Sequence, residues 1–308
     1  MRVSVIVVNW NGLEMTTNAL RSLAAHADGL EYEVIVVDNG SVRDDSRREL
    51  PRRFPGVALL VNTENEGFSR ACNRAARLAR GEYLLFLNND TLQTQAALRM
   101  AAEYLDRETG VGALGILHLD GSESRAWQPS AFRFPRPLQD VLASLGLGRL
   151  TSPIQDYEQA LSADVDWVCG SFLMVRRSVW EAVGEFDERF FVYDEDIDWC
   201  LRARREGVRV RYWPGTSMIH LGAASGPGLR DKTFMHFRSR LSYYAKNASL
   251  PWAVAFYAAM SARLTASSLF QLSRLATGKG DVDAVRERLR RLGSFLSLRS
   301  SRAGVSGA

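Results

Sequence analysis

The amino-terminal half of this chain alternates short apolar runs with helical patterns, and three of the runs end in amides and acids. Val3–Val8, Glu33–Val37, Val57–Val61 and Tyr83–Leu87 read as strands. Leu13–Ala25, Asp44–Arg53 and Phe68–Ala79 between them read as helices. Alternation of this kind argues for an α/β fold, a mostly parallel, doubly wound sheet flanked by helices. In such sheets ligands bind beyond the carboxyl ends of the strands. Those ends carry Asn9-Trp10-Asn11, Asp38-Asn39-Gly40-Ser41 and Asn88-Asn89-Asp90. The expectation is a polar site along one edge of the sheet.

The second half is less uniform. Residues 120–165 hold Pro129, Pro135, Pro137 and Pro153 with little sustained periodicity, and read as a long insertion near the site. Trp167–Val175 reads as one strand, followed by a helix from Ser178 and a further strand at Val208–Tyr212. Gly207 stands as a helix C-cap after Arg204-Arg205-Glu206. From Asp231 the pattern is helical to about Leu298, with breaks at Pro251 and at Gly278-Lys279-Gly280. The expected organisation is a catalytic domain over residues 1–230 and a helical C-terminal region over 231–308. No internal repeat is present.

The run Tyr193-Asp194-Glu195-Asp196-Ile197-Asp198 packs four carboxylates into five positions at the start of a helical pattern. A helix N-terminus favours an acid by roughly 0.3–1 kcal/mol through the macrodipole. Capping accounts for the first acid; four also repel one another. Clustered carboxylates drive their pKa values apart, which can poise one as a general base.

Several nucleotide chemistries are excluded by motif. The first strand–helix turn lacks G-x-G-x-x-G, and G-x-x-x-x-G-K-[ST] occurs nowhere, against dinucleotide redox chemistry and P-loop hydrolysis. A Gly-rich loop followed by Arg and Lys, as in sugar nucleotidyltransferases, is missing too. Asp38 at a strand end can accept from a pyrimidine imide N–H, or simply form a turn with Asn39-Gly40-Ser41. Asp90 can hold a divalent metal, since Mg²⁺ and Mn²⁺ take carboxylate, phosphate and water oxygens, or cap the next helix. His220 can complete that shell through a ring nitrogen, or serve as a structural side chain.

The motifs together resemble the family 2 glycosyltransferases of GT-A fold, especially the bacterial rhamnosyltransferase-like branch. The matching segments are residues 5–12, 36–41, 65–73, 81–91, 170–175 and 184–191, then the acidic run and His220-Leu221-Gly222. The resemblance implies inverting transfer of a sugar from a nucleoside diphosphate donor to a hydroxyl. By position, Asp196 would be the general base, with Glu195 or Asp198 orienting it or binding the acceptor. Asp38 would read the base beside Val8 and Trp10, and Asn73, Asn88 and Asn89 would lie near the ribose or diphosphate. Asp90 would bind the metal, Mg²⁺ or Mn²⁺, with His220 as an additional ligand. The first acid of the family's D-x-D motif is Asn88 here, so Asp90 is its surviving carboxylate. Similarity to the branch points to dTDP-L-rhamnose as donor. A UDP-hexose, UDP-N-acetylhexosamine or UDP-galactofuranose is the alternative, and a non-catalytic membrane-associated relative is the alternative outside the enzyme class. The Q-x-x-R-W motif of processive members is absent, so one sugar per encounter is expected.

The net charge of +4 is concentrated late, with Arg286, Arg288, Arg290, Arg291, Arg299 and Arg302 against Glu287 alone. At 100° per residue, Arg263 and Arg274 fall on one side of a helix near Trp252, broadly opposite Val254, Tyr257, Leu264, Leu272 and Leu275. That helix can lie on a membrane surface, or pack on the catalytic domain or a second copy of the chain. On the membrane reading, the acceptor is a lipid-linked glycan of cell-envelope polysaccharide synthesis. Nucleic acid is not expected as a partner, because the basic tail lacks interleaved aromatics. Cys72, Cys169 and Cys200 are odd in number and far apart, which suits a reducing cytoplasm. The chain runs from Met1 straight into a strand, leaving no room for a signal peptide, and its longest late apolar run stops at Arg263. A cytoplasmic enzyme, peripheral on the inner membrane face if the helix binds lipid, is the expectation.

Overall fold

The computed structural model describes residues 2–27, 29–148, 161–222, 232–277 and 281–296; Pro153, Lys279, Arg299 and Arg302 lie outside them. The chain divides into two compact units, one of residues 1–134 and 154–229, the other of 135–153 and 230–308.

The first unit opens with β1 (Val3–Asn9), α1 (Leu13–Ala25), β2 (Tyr32–Asn39), α2 (Ser46–Arg53), β3 (Ala58–Asn62), α3 (Phe68–Ala76) and β4 (Tyr83–Asn88). These are the elements legible in the sequence, shifted at their ends. Next come β5 (Thr91–Gln93), α4 (Ala97–Arg107), β6 (Val111–Leu119), β7 (Trp127–Gln128) and β8 (Ala131–Phe132). Helix α5 (Pro137–Ser144) belongs to the second unit. Then follow β9 (Ala163–Asp164), β10 (Trp167–Val168), β11 (Phe172–Arg176), α6 (Arg177–Val183), α7 (Glu195–Arg205) and β12 (Arg209–His220).

The main sheet runs β3-β2-β1-β4-β11-β6-β12-β5. Its first four strands are parallel; β11 then enters antiparallel to both β4 and β6, and β6 and β12 return to parallel pairing. The sheet is therefore mixed rather than parallel throughout. Apolar side chains alternate between its faces with the period of two that strands impose. Val5, Val7, Val34, Val36, Leu85 and Leu87 pack against α1, α2 and α4. Ile6, Ile35, Val37, Leu84 and Phe86 pack on the other face against α3, α6 and α7, with Trp180 and Trp199 at the centre.

Two departures from the sequence reading bear on the site. Strand β6 escaped detection because Gly112 and Gly115, poor strand formers, interrupt its pattern. A Cβ at Gly112 would lie 2.3 Å from Val208, and one at Gly115 2.6 Å from Val168, so close packing demands glycine there. The expected strand Trp167–Val175 is two strands in two sheets, split by a turn at Cys169-Gly170-Ser171. Cys169 N donates to Ser130 O at 2.9 Å on one side, and Asn88 N donates to Ser171 O at 3.2 Å on the other. An unbroken apolar run masks such a turn, for which Gly170-Ser171 is the only signal.

In the second unit α9 (Leu250–Ala276) packs against α5, α8 (Lys232–Asn247) and α10 (Val282–Leu296). Asp140 of α5 accepts from Arg240 Nη1 at 2.6 Å and from the buried Tyr244 hydroxyl at 2.7 Å. Part of the irregular insertion is thus a helical element of this unit. Pro251 does not interrupt a helix but occupies the first turn of α9, where its missing N–H is no loss. The expected break at Gly278-Lys279-Gly280 lies outside the described residues. No described helix is long and apolar enough to cross a membrane.

Candidate active site

Parallel register brings the strand-end residues to one level, with Asn9 opposite Asp38 and Val8 opposite Asn88. Strand alternation then sends them to different faces. Asn9 and Asp38 follow Val7 and Val36 toward α1 and α2, whereas Val8 and Asn88 follow Ile6 and Phe86 toward α3 and α7.

On the α1 face the polar groups satisfy one another. Asp38 is fully buried; its Oδ2 accepts from Asn9 Nδ2 at 3.1 Å, and its Oδ1 from Ser41 N at 3.0 Å. Arg47 Nε adds a 3.4 Å contact to the same Oδ1. Thr16 Oγ1 donates to Asn9 Oδ1 at 2.7 Å and accepts from Asn89 Nδ2 at 3.1 Å. Gly12 permits this approach, since a Cβ there would sit 2.8 Å from Asn89 Nδ2. Gly40, at φ +77°, would place a Cβ 2.4 Å from Glu64 backbone.

Asn73 is likewise engaged within the chain. Its Nδ2 donates to Phe186 O at 2.9 Å and its Oδ1 accepts from Phe186 N at 3.0 Å, clamping α3 to the 184–191 loop. The same loop is held by Phe68 N donating to Phe191 O at 2.6 Å and Ser69 Oγ to Phe190 O at 2.7 Å. It leads into Tyr193 and Asp194, consecutive non-glycine residues at φ +69° and +63°. Such backbone costs on the order of 1–3 kcal/mol per residue and collects at functional sites.

That strained elbow opens α7 and sorts its acids into separate environments. Asp198 is fully buried and pairs with Arg202 Nε at 3.1 Å, while Arg202 also donates to Val183 O and Glu185 O. Asp196 accepts from Gly170 N and from Ile197 N, both at 2.8 Å. Burial pushes its pKa up to about 6, the two amides partly opposing this and the Asp194 charge adding to it. Burial, then the Asp196 charge, raises Glu195 well above its ordinary value, and its Oε2 is buried without a hydrogen-bond partner among the described residues. The repulsion implied by four adjacent acids is relieved by one ion pair and by raised proton affinity. The N-cap itself makes no side-chain capping bond.

The Cys169–Ser171 turn joins this carboxylate to a second cluster. Gly170 N holds Asp196, Ser171 O holds the end of β4, and Ser171 Oγ lies 3.3 Å from His118 Nδ1. Beyond β4, Asp90 is almost fully buried and its Oδ1 has no hydrogen-bond partner among the described residues. His220 Nε2 stands 3.4 Å from that oxygen, longer than a hydrogen bond. His220 Nδ1 meets Gln128 Oε1 at 2.7 Å. His118 lies edge-on to His220, ring centroids 5.8 Å apart, and burial with the His220 charge lowers its pKa to about 3. Asn88 is half buried at this end of β4. Trp10 Nε1 is buried without a partner among the described residues.

The Asp90–His220 pair has the donor chemistry a divalent ion needs: an unpartnered carboxylate oxygen facing a ring nitrogen. Asn88 offers only a neutral oxygen. Among the described residues no group of three or more His, Cys, Asp or Glu side chains gathers as a metal cage. An ion held here would therefore draw most of its shell from phosphate and water oxygens, as Mg²⁺ habitually does. His118, Gln128 and Ser171 escaped sequence reasoning; they lie on the missed strand β6, on its two-residue partner β7, and in the masked turn.

The sequence profile of glycosyl transferase family 2 matches residues 4–184, more than half of the chain. The chain belongs to glycosyl transferase family 2. A second profile, glycosyl transferase family group 2, matches residues 150–278. Rhamnosyltransferase WbbL of Escherichia coli is 29% identical over 254 residues, covering 79% of this chain and 93% of that protein. The N-acetylglucosaminyl-diphospho-decaprenol L-rhamnosyltransferase of Mycobacterium tuberculosis is 29% identical over 238 residues, 71% of this chain and 76% of that one. In fold, the mannosyltransferase PcManGT of Pyrobaculum calidifontis, solved with GDP-Man and Mn²⁺, aligns with TM-score 0.56 at 20% identity. That alignment covers 97% of this chain and 81% of the other. Staphylococcus aureus TarS 1–349 aligns at TM-score 0.52 and 17% identity, over 98% and 93% of the two chains. This chain is a glycosyltransferase of GT-A fold, with the rhamnosyltransferase-like character its motifs suggested.

Proposed function

We propose that this glycosyltransferase moves L-rhamnose from dTDP-L-rhamnose to a hydroxyl of a lipid-linked glycan in cell-envelope polysaccharide synthesis, with inversion. The observation that carries the chemistry is Asp196, buried on two backbone amides and joined by one turn to the Asp90–His220 pair. The donor rests on the two rhamnosyltransferase relatives.

Asp196 accepts the proton of the acceptor hydroxyl as its oxygen attacks the anomeric carbon, and the nucleoside diphosphate leaves from the opposite face. A base with pKa near 6 is ionised at neutral pH and still basic enough to take that proton. Burial raises the proton affinity of Glu195 and so disfavours a second charge beside Asp196. Asp198 acts through Arg202, holding the helix that presents Asp196. Asp90 and His220 would hold Mg²⁺ or Mn²⁺, which when bound neutralises charge on the departing diphosphate. Val8, Trp10, Asn88 and Asn89 line the donor side. Base reading by Asp38 requires the half-exposed Arg47 to yield its long contact. Asn73 contributes by clamping the 184–191 loop.

Calorimetry with dTDP-rhamnose, UDP-sugars and GDP-sugars, each with and without Mn²⁺, tests the donor. Metal-dependent preference for dTDP-rhamnose is expected; UDP competing as well as dTDP would retain the transfer and remove rhamnose.

A specific observation favours a membrane surface for the second unit. Residues 232–280 contain Lys232, Arg238, Arg240, Lys246, Arg263, Arg274 and Lys279 and no acid. Leu250, Val254, Leu269, Phe270 and Leu272 of α9 are exposed. Exposed apolar side chains flanked by cations suit an anionic interface. Phe270→Glu should reduce sedimentation with phosphatidylglycerol vesicles; unchanged sedimentation would leave a second copy as the occupant.

A further inference from the structure

We propose that Gln128 is the positioning residue of the cation site, fixing the His220 ring in the tautomer whose Nε2 lone pair faces Asp90. This rests on the reading of Asp90 and His220 as the metal-holding pair.

The argument begins with donors and acceptors. Gln128 Oε1 can only accept, so at 2.7 Å the proton of the neutral imidazole must sit on Nδ1. Nε2 then carries a lone pair, 3.4 Å from an Asp90 Oδ1 that has no hydrogen-bond partner among the described residues. Two lone pairs facing one another in a buried place repel, and a cation between them removes that repulsion. Ring ligands are commonly held in this way by an acceptor on the distal nitrogen.

The backbone supports the same assignment. Gln128 lies directly opposite His118 in the antiparallel β6–β7 ladder. The hairpin thus delivers the amide to one edge of His220 and the His118 ring to its side, with centroids 5.8 Å apart. Gly222, at φ +59°, keeps room for the amide, since a Cβ there would come within 3.2 Å of Gln128 Nε2. Asp120 N donating to Ala126 O at 2.8 Å closes the loop that carries β7.

Two measurements on the full chain test this. Mn²⁺ affinity by calorimetry should fall roughly 10–100-fold in Gln128→Leu, which keeps the side-chain size and loses the acceptor. Gln128→Glu, which restores an acceptor, should recover most of the affinity. Long-range ¹H–¹⁵N correlation, assigned with His220→Asn, should show His220 protonated on Nδ1 when neutral. Gln128→Leu binding Mn²⁺ as tightly as the wild type overturns the proposal, as does an Nε2-protonated ring. If the wild type binds no Mn²⁺, the metal reading falls, and the tautomer alone decides the role of Gln128.

Discussion

The two faces of the sheet edge use the same residue types in opposite ways. On the α1 face Asn9, Thr16, Asp38, Ser41 and Asn89 close a network in which each named side chain has a partner inside the chain. On the α7 face and around the end of β4, Asp90 Oδ1, Glu195 Oε2 and His118 Nε2 are buried with none among the described residues. Leaving a buried polar atom unpaired costs about 1–3 kcal/mol. Under the proposed function, the first set serves structure and the second is held for a ligand. Burial alone therefore does not separate scaffold from site; partnership does.

The comparison breaks most visibly at Asp196. Asp196→Asn should lower kcat by about 10²–10⁴-fold, the usual worth of a positioned base, with the melting temperature little changed. Retained transfer would remove Asp196 from the role of general base. In the wild type kcat/KM should rise with pH through about 6 as Asp196 ionises. Stability should move the other way. The fold raises the pKa of Asp196 and Glu195 above their ordinary 3.8 and 4.5, so it binds their protons more tightly than the unfolded chain does. Their contribution is complete below those ordinary values and, for Asp196, is lost as pH rises through about 6. Asp194→Asn removes one raising charge and should shift the rate inflection downward.

Asp90→Ala should come next, with transfer falling by roughly 10²-fold as several kcal/mol of charge stabilisation is lost, and Mn²⁺ binding falling with it. Removing the orphan oxygen should leave thermal stability unchanged or raise it. Asp38→Ala should show the reverse pattern. It strands Ser41 N and leaves Asn9 Nδ2 only its 3.2 Å bond to Ser41 Oγ, costing about 1–3 kcal/mol of stability in a denaturant titration. A donor affinity that falls while stability holds would instead give Asp38 the base-reading role. Asn73→Ala should have the smallest catalytic effect, lowering stability by about 1–3 kcal/mol through the loss of both Phe186 bonds. A rise in donor KM without destabilisation would move Asn73 into contact with the donor.

The alternation of apolar runs and helices, the polar strand ends, and the acid run at a helix start were all readable from local pattern. Each depends on residues close in the chain, and strand–helix alternation allows few pairings. The family's motifs added the roles of Asp196, Asp90 and His220 as expectations. What local pattern could not show was which face each polar residue serves, because that depends on register between strands far apart in sequence. Nor could it show that Trp167–Val175 breaks at Gly170, since the break is enforced by Asp196 Oδ2, 2.8 Å from Gly170 N across 26 residues. Strand β6 was hidden for the same reason: its glycines are explained only by Val168 and Val208, which press against them. The polar strand ends and the acid run were thus written in the sequence, while tertiary packing decided which of their polar groups find partners among the described residues.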